Sequence, residues 1–211
     1  MGVQISSNIR MGQKAVEVSR AFHIHQLQDE RNTMISKHKT IIGLDIGTKR
    51  RASSKIGDTY ITEIGAGTLS PSGEIGIVTF RTETEDGRDE SEILRTFESW
   101  LKQFPSRSIM TSYNGYRFDI PILLISCWRN NSRLPQLLGK FHHFDVLIFL
   151  RKLKKEMKLK SIRDPMMGLK FMEQFFGYKR TFYTRRQSPE YLVEDVTSLL
   201  FIVKGFTQGG A

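Results

Sequence analysis

Four side chains have the types and positions to handle protons or hard cations: Asp45, Asp119, Tyr191 and Asp195. Asp119 stands at the mouth of a helix in Thr111-Ser-Tyr-Asn-Gly-Tyr-Arg-Phe-Asp119-Ile-Pro-Ile-Leu123. A carboxylate there either caps the helix or binds a metal, and from these residues alone capping is favoured, because Asp is a preferred N-cap. Asp45 closes the apolar run Ile41-Ile-Gly-Leu, which places it at the edge of a buried strand. Tyr191 and Asp195 are four apart in an apolar helical stretch and so share a helix face.

The elements that must hold these groups follow from the pattern. Ile41–Ile46 reads as a strand followed by a polar loop to about Asp58, Tyr60–Leu69 as a second strand and Glu74–Phe80 as a third. The turn Ser70-Pro-Ser-Gly73 makes the last two an antiparallel hairpin. Residues 82–90 read as acidic and exposed. Ser91 to about Phe104 is an amphipathic helix with an apolar stripe of Ile93, Leu94, Phe97, Trp100, Leu101 and Phe104, a core face. Ser108–Asn114 is a strand, Asn114-Gly115 a turn tolerant of positive φ, and Pro121 suits a helix's first turn. That helix runs to about Asn131, and residues 130–135 read as a loop. His142-His-Phe-Asp145-Val-Leu is a fifth short strand, Leu169–Phe176 a helix closed by Gly177, and Ser188-Pro-Glu190 opens the last helix. The sum is an α/β domain on a mixed five-stranded sheet flanked by helices over residues 40–206. An N-terminal extension over 1–39, partly helical or disordered, precedes it, and a tail over 207–211 follows.

A net charge of +10 points to a polyanionic partner, nucleic acid first. The run from Arg151 to Arg163 has only Glu156 against seven cations, and is either a solvated helix face or a ridge that tracks phosphates. Lys179-Arg180 and Arg185-Arg186 flank Tyr178, Phe182 and Tyr183, which could clamp and stack single-stranded ends or simply anchor a loop. The single cysteine, Cys127, forms no intrachain disulfide and reads as core. That suits an intracellular, reducing compartment: cytoplasm, nucleoid or nucleus, or an organelle. No apolar run reaches the ~20 residues a membrane helix needs, and the match of Met1-Gly2-Val-Gln-Ile-Ser6 to a myristoylation pattern reads as chance.

Tyr-Asn-Gly-Tyr-Arg-Phe-Asp119-Ile-Pro-Ile-Leu resembles the second motif of the DnaQ-like (DEDD) 3′–5′ exonucleases. It is most similar to the proofreading domains of family-B DNA polymerases. The resemblance extends over about residues 40–204 and implies an RNase H-like fold. It also implies carboxylates holding two Mg²⁺ or Mn²⁺ ions ~4 Å apart, which activate a water and stabilise the leaving oxygen. Asp45 falls on the first motif, as the implied bridging ligand, and Asp195 on the third. Tyr191, four before Asp195, implies the tyrosine subtype and a role in orienting the attacking water. Thr48, Asn114 and Phe118 are candidate contacts to single-stranded DNA or RNA 3′ ends, joined on the phosphate-tracking and clamp readings of the basic stretches by Lys154, Lys155, Lys158, Arg185 and Arg186. A polymerase or nucleoprotein assembly is the implied partner, and no membrane.

One ligand departs from that family. Where its first motif reads Asp-Ile-Glu-Thr, this chain has Asp45-Ile46-Gly47-Thr48. Strand alternation puts residues 45 and 47 on one face, so the lost carboxylate belongs to the site. Glu63, on the neighbouring strand, is the candidate to fill the gap. Otherwise the domain is a degenerate exonuclease kept for nucleic-acid binding, or position 47 carries a silencing change. A third class, a structural domain whose acids are helix caps, stands beside these two.

Overall fold

The apolar alternation of the first strands is set down as a sheet with two differently built faces. The structure, a computed structural model, describes residues 40–50, 59–81, 90–106, 108–156, 158, 167–181 and 189–208. The expected extension over 1–39 therefore lies outside the described residues. The five strands are β1 (Ile41–Arg50), β2 (Thr59–Leu69), β3 (Ile75–Arg81), β4 (Ile109–Ser112) and β5 (His142–Asp145). They lie in the order β3-β2-β1-β4-β5, with β1, β2 and β3 antiparallel and β1, β4 and β5 parallel. This is the mixed five-stranded sheet expected. The helices are α1 (Glu90–Leu101), α2 (Asp119–Arg129), α3 (Leu134–Leu138), α4 (Val146–Glu156), α5 (Leu169–Phe176) and α6 (Pro189–Gln208).

β1 is longer than its apolar run. Thr48, Lys49 and Arg50 continue it, paired with Ile61, Tyr60 and Thr59 after a register irregularity at Gly47/Thr48. Backbone pairing to β2 extends the strand where side-chain polarity signalled a loop. The helix α3 replaces part of the expected loop at 130–135. Its five residues are too few to show a period, yet Pro135 stands in its first turn and Leu134 and Leu138 are buried. At the C-terminus, α6 runs on to Gln208, past the expected end of the domain, and the Phe176 ring lies against Gly205.

Two cores sandwich the sheet. Ile42, Leu44 and Ile46 face one side with α1, α2 and α3, where Phe97 is fully buried and packs with Phe80 and Trp100. Ile41 and Ile109 face the other side with α4, α5 and α6. On that second face β1 and β2 present glycines: a Cβ on Gly43 would come 2.9 Å from Leu200 Cγ, and one on Gly65 2.7 Å from Leu192 Cγ. A side chain at either place would collide, so the glycines let α6 sit close to the strand that carries Asp45.

Glu90 overturns the expectation that 82–90 is exposed; residues 82–89 lie outside the described ones. Glu90 is 3% exposed. It accepts the Ile61 N–H (2.7 Å), the Ser126 hydroxyl (2.7 Å), the Asn130 amide (2.7 Å) and Arg129 Nη2 (2.7 Å). Burial alone would raise its pKa, but these bonds outweigh it and hold the carboxyl below its usual range. An acid of depressed folded pKa lends stability above its unfolded value of about 4.3 and loses it as pH falls through the folded one. Glu90→Ala should cost about 2–3 kcal/mol at pH 7 by stranding those donors, and should flatten the acid side of the stability curve. Urea unfolding between pH 3 and 7 checks this; a cost below about 0.5 kcal/mol, within the ordinary range for surface substitutions, would contradict it.

Candidate active site

The central motif folds as a tight turn. Asn114 takes φ 67°, while Gly115 is required for a different reason: a Cβ there would lie 2.2 Å from Ser112 Oγ. Ile120 N–H closes on the Gly115 carbonyl at 2.8 Å. Asp119 then opens α2 from inside its first turn. The N-cap is Phe118, with no side-chain capping bond, so the capping role favoured from the local residues is not what Asp119 does. Its carboxyl is 4% exposed, with the Ile46 and Asp119 backbone N–H groups as its stabilising bonds.

Another acid secures the turn. Asp145, at the end of β5, accepts the N–H groups of Asn114 (3.1 Å) and Tyr116 (3.1 Å) from the motif, and of Leu147 (3.0 Å) and Ile148 (3.2 Å) from α4. It ties the motif to β5 and caps α4. Its signal in the sequence was present, as an acid directly before an apolar helical run, but nothing local showed that it also holds a turn 30 residues away.

Two acids from other elements, Asp119 and Asp195, come within electrostatic reach of Asp45. Burial first, then Asp119 and Asp195, drive the Asp45 carboxyl well above its usual range. Burial and Asp145 push Asp119 up to about 7. Asp195 is raised by burial, against opposing bonds from Arg180 and Tyr191. Burial leads in all three, and at Asp45 the two neighbouring carboxylates add to it, as they do where negative charges are gathered together. Asp45, Tyr191 and Asp195 line a cleft of about 460 Å³ together with Tyr113, Asn114, Lys170 and Arg180. The Tyr113 hydroxyl is tied to the Met167 carbonyl.

Glu63 sits directly across the β1–β2 ladder from Gly47, as the strand reading requires. Its Oε1 is buried with no hydrogen-bond partner. Burial raises its pKa, Arg81 opposes and Glu190 adds to it. The acid thus fills the space beside Gly47, while its charged neighbours are Arg81 and Glu190.

The donors at the cleft are of the type a hard cation takes. Carboxylate oxygens are what Mg²⁺ and Mn²⁺ prefer, and Asp45 and Asp119 supply them with charge to spare. Asp195 is different: Arg180 Nη2 stands 2.5 Å from its Oδ1. Among the described residues no three His, Cys, Asp or Glu side chains ring one point as they lie. Asp45 and Asp119 thus offer the donor type that a divalent ion prefers, while Asp195 is engaged by Arg180.

The implied nucleic-acid contacts are distributed unevenly. Asn114 lines the cleft. Thr48 is half-buried after the β1 irregularity, Phe118 is 44% exposed, and Lys155 and Lys158 are exposed on and just after α4. Lys154 is half-buried there. Arg185, Arg186 and the basic residues from 159 to 163 lie outside the described ones. Two cations border the cleft, Lys170 and Arg180. Lys170 has no signal in the sequence, and Arg180 reads there as part of a nucleic-acid clamp, because nothing local in a Lys-Arg pair shows an inward turn.

A family model, RNase_H_2 of the RNase_H superfamily, matches residues 55–188, more than half of the chain. No curated protein sequence matches it. Among solved structures, the fold is similar to E. coli exonuclease I in complex with a 5cy-dA13 oligonucleotide, at a TM-score of 0.57 and 13% identity over 79% of this chain and 40% of that one. The E. coli enzyme in complex with a dT13 oligonucleotide gives 0.55 and 11% over 80% and 40%. A moderately thermophilic exonuclease I from Methylocaldum szegediense gives 0.57 and 12% over 79% and 40%. The chain thus spans about two-fifths of those proteins, and at such identities the likeness is one of fold. With the five-stranded mixed sheet and the matched span, the chain belongs to the RNase_H superfamily.

Proposed function

We propose that this protein is a divalent-metal-dependent 3′–5′ exonuclease acting on single-stranded or frayed nucleic-acid ends. The observation that carries the reading is the gathering of Asp45 from β1 and Tyr191 and Asp195 from α6 at one cleft, with Asp119 from α2 within electrostatic reach of Asp45. Asp45 and Asp119 would hold the ion. A bound divalent cation supplies Lewis-acid stabilisation of the phosphate and lowers the pKa of a bound water. Tyr191, which lines the cleft on the same helix face as Asp195, would orient a water there. Asn114 and Lys170 border the same space and are placed to bind the strand. A 3′ terminus fits a cleft of this size better than a duplex does, because a duplex cannot bring its backbone to buried carboxylates without fraying.

Gly47 and the Arg180–Asp195 pair favour a second reading, a degenerate module that binds nucleic acid without turnover. The two separate in a gel assay of 5′-labelled single-stranded DNA and RNA with Mn²⁺. The nuclease reading expects a ladder that shortens from the 3′ end; intact substrate with salt-sensitive binding would instead establish the module. The same assay tests the missing ligand. A Cβ on Gly47 would lie 3.3 Å from Glu63 Cβ and 3.6 Å from Thr62 Oγ1, so a Glu side chain fits with a small adjustment. Gly47→Glu should speed degradation by at least about tenfold; an unchanged rate would show that position 47 is not short of a ligand.

A further inference from the structure

Arg180 is built into the acid cluster rather than laid across it. Its side chain is 6% exposed. Glu173 receives its Nε at 3.0 Å and its Nη2 at 2.5 Å, and is itself held by the Ser198 hydroxyl at 2.7 Å. The residues on both sides are fastened to α6: the Tyr178 hydroxyl donates to Glu194 Oε2 at 2.6 Å and the Thr181 backbone N–H to Glu194 Oε1 at 2.8 Å. Between these two anchors the guanidinium reaches the Asp195 carboxylate at 2.5 Å and lies 5.5 Å from the centre of the Tyr191 ring. Arginine stays protonated at every working pH, so this positive charge is permanent.

A divalent ion ligated by the same Asp195 oxygen would sit against that guanidinium in a buried setting, where like charges repel strongly. The position is also short of ligands for an independent reason, since residue 47 is glycine and offers no side-chain oxygen. Two features therefore weigh against a second ion. Gly47 withholds a side-chain oxygen, and Asp195 is occupied by a cation of the protein's own.

We propose that Arg180 is a resident cation standing in for a second metal ion, so that the site takes one divalent ion, on Asp45 and Asp119, instead of two. Its role is to position and neutralise Asp195. The inference rests on the nuclease reading for the existence of the first ion.

The test counts Mn²⁺ ions on the full chain by calorimetry and by electron paramagnetic resonance, with no substrate present. The unmodified chain should bind one ion, and Asp119→Asn should weaken it by more than about a hundredfold. The pair Glu173→Gln with Arg180→Met removes the guanidinium without stranding the Glu173 carboxylate, frees Asp195, and should bind a second ion at least about tenfold more tightly than the unmodified chain does. Arg180→Gln, which keeps hydrogen bonds to Glu173 but not the charge, gives the same result by another route should the pair fail to fold. Two ions of similar affinity in the unmodified chain, or only one ion in both neutral variants, would overturn the inference and leave the nuclease reading intact. No Mn²⁺ bound by any of these proteins would overturn the nuclease reading itself.

Discussion

Asp119→Asn should abolish Mn²⁺-dependent degradation, by more than about a hundredfold, and should leave the fold at least as stable as before. The two halves of this expectation have one origin. Asp119 is not the N-cap of its helix, and the Ile46 and Asp119 N–H groups that its carboxyl accepts can also be met by an amide oxygen, so Asn should lose little helix stabilisation. Its carboxyl is buried, and burial together with Asp145 pushes it up to about 7. For an acid whose folded pKa is raised, the ionised form weakens the fold, and the loss grows as pH rises through that value. A neutral side chain of the same shape removes the loss, so at pH 8 the variant should unfold at the same temperature or higher. A structural acid would behave in the opposite way, with lower stability and activity falling only in step with it. Thermal melts and the gel assay on one preparation separate the cases; full activity in the variant would remove Asp119 from the site.

What could be read beforehand divides along physical lines. Asp45, Asp119 and the Tyr191–Asp195 pair were legible because each is fixed by a short-range pattern: an acid ending a buried strand, an acid behind a turn, two residues one helical turn apart. Gly177 as the end of α5 was legible for the same reason, and it adopts φ 76° as a left-handed helix terminus does. Glu90, Asp145 and Arg180 were not. Glu90 finds its partners 29 to 40 residues away, and Arg180 finds its own 7 and 15 away across two helices. Charged residues in charged runs look solvated unless their partners are known, and those partners are set by how the helices pack. The polar end of β1 was missed on similar grounds, because backbone pairing to β2 leaves no periodic trace in side-chain polarity. The glycines of β1 and β2 could have warned of a close helix, since three of them, Gly43, Gly65 and Gly67, lie under α6.

Gly65→Val should cost the fold about 1–3 kcal/mol and lower degradation by more than that loss of folded protein explains. Gly65 pairs with Asp45 across the β1–β2 ladder. Its Cβ would stand 2.7 Å from Leu192 Cγ, 3.0 Å from Leu192 Cδ2 and 3.1 Å from Val196 Cγ2. Those side chains cannot simply turn away, because Leu192 and Val196 are buried and the same helix is seated on Gly43 and Gly67 through Leu200. The helix must move out from the sheet, and Tyr191 and Asp195 move with it, away from Asp45. Gly76→Ala is the control, since its Cβ would meet only Thr68 Oγ1 at 3.4 Å and should change stability and activity little. The collision also has a specific remedy. Gly65→Ala combined with Leu192→Ala opens space where the new methyl arrives, so the two changes should couple by about 1 kcal/mol or more instead of adding. Purely additive losses in unfolding experiments would mean that α6 does not depend on these glycines for its seat. The distance between Asp45 and the Tyr191–Asp195 pair would then have to be set by something other than the bare face of the sheet.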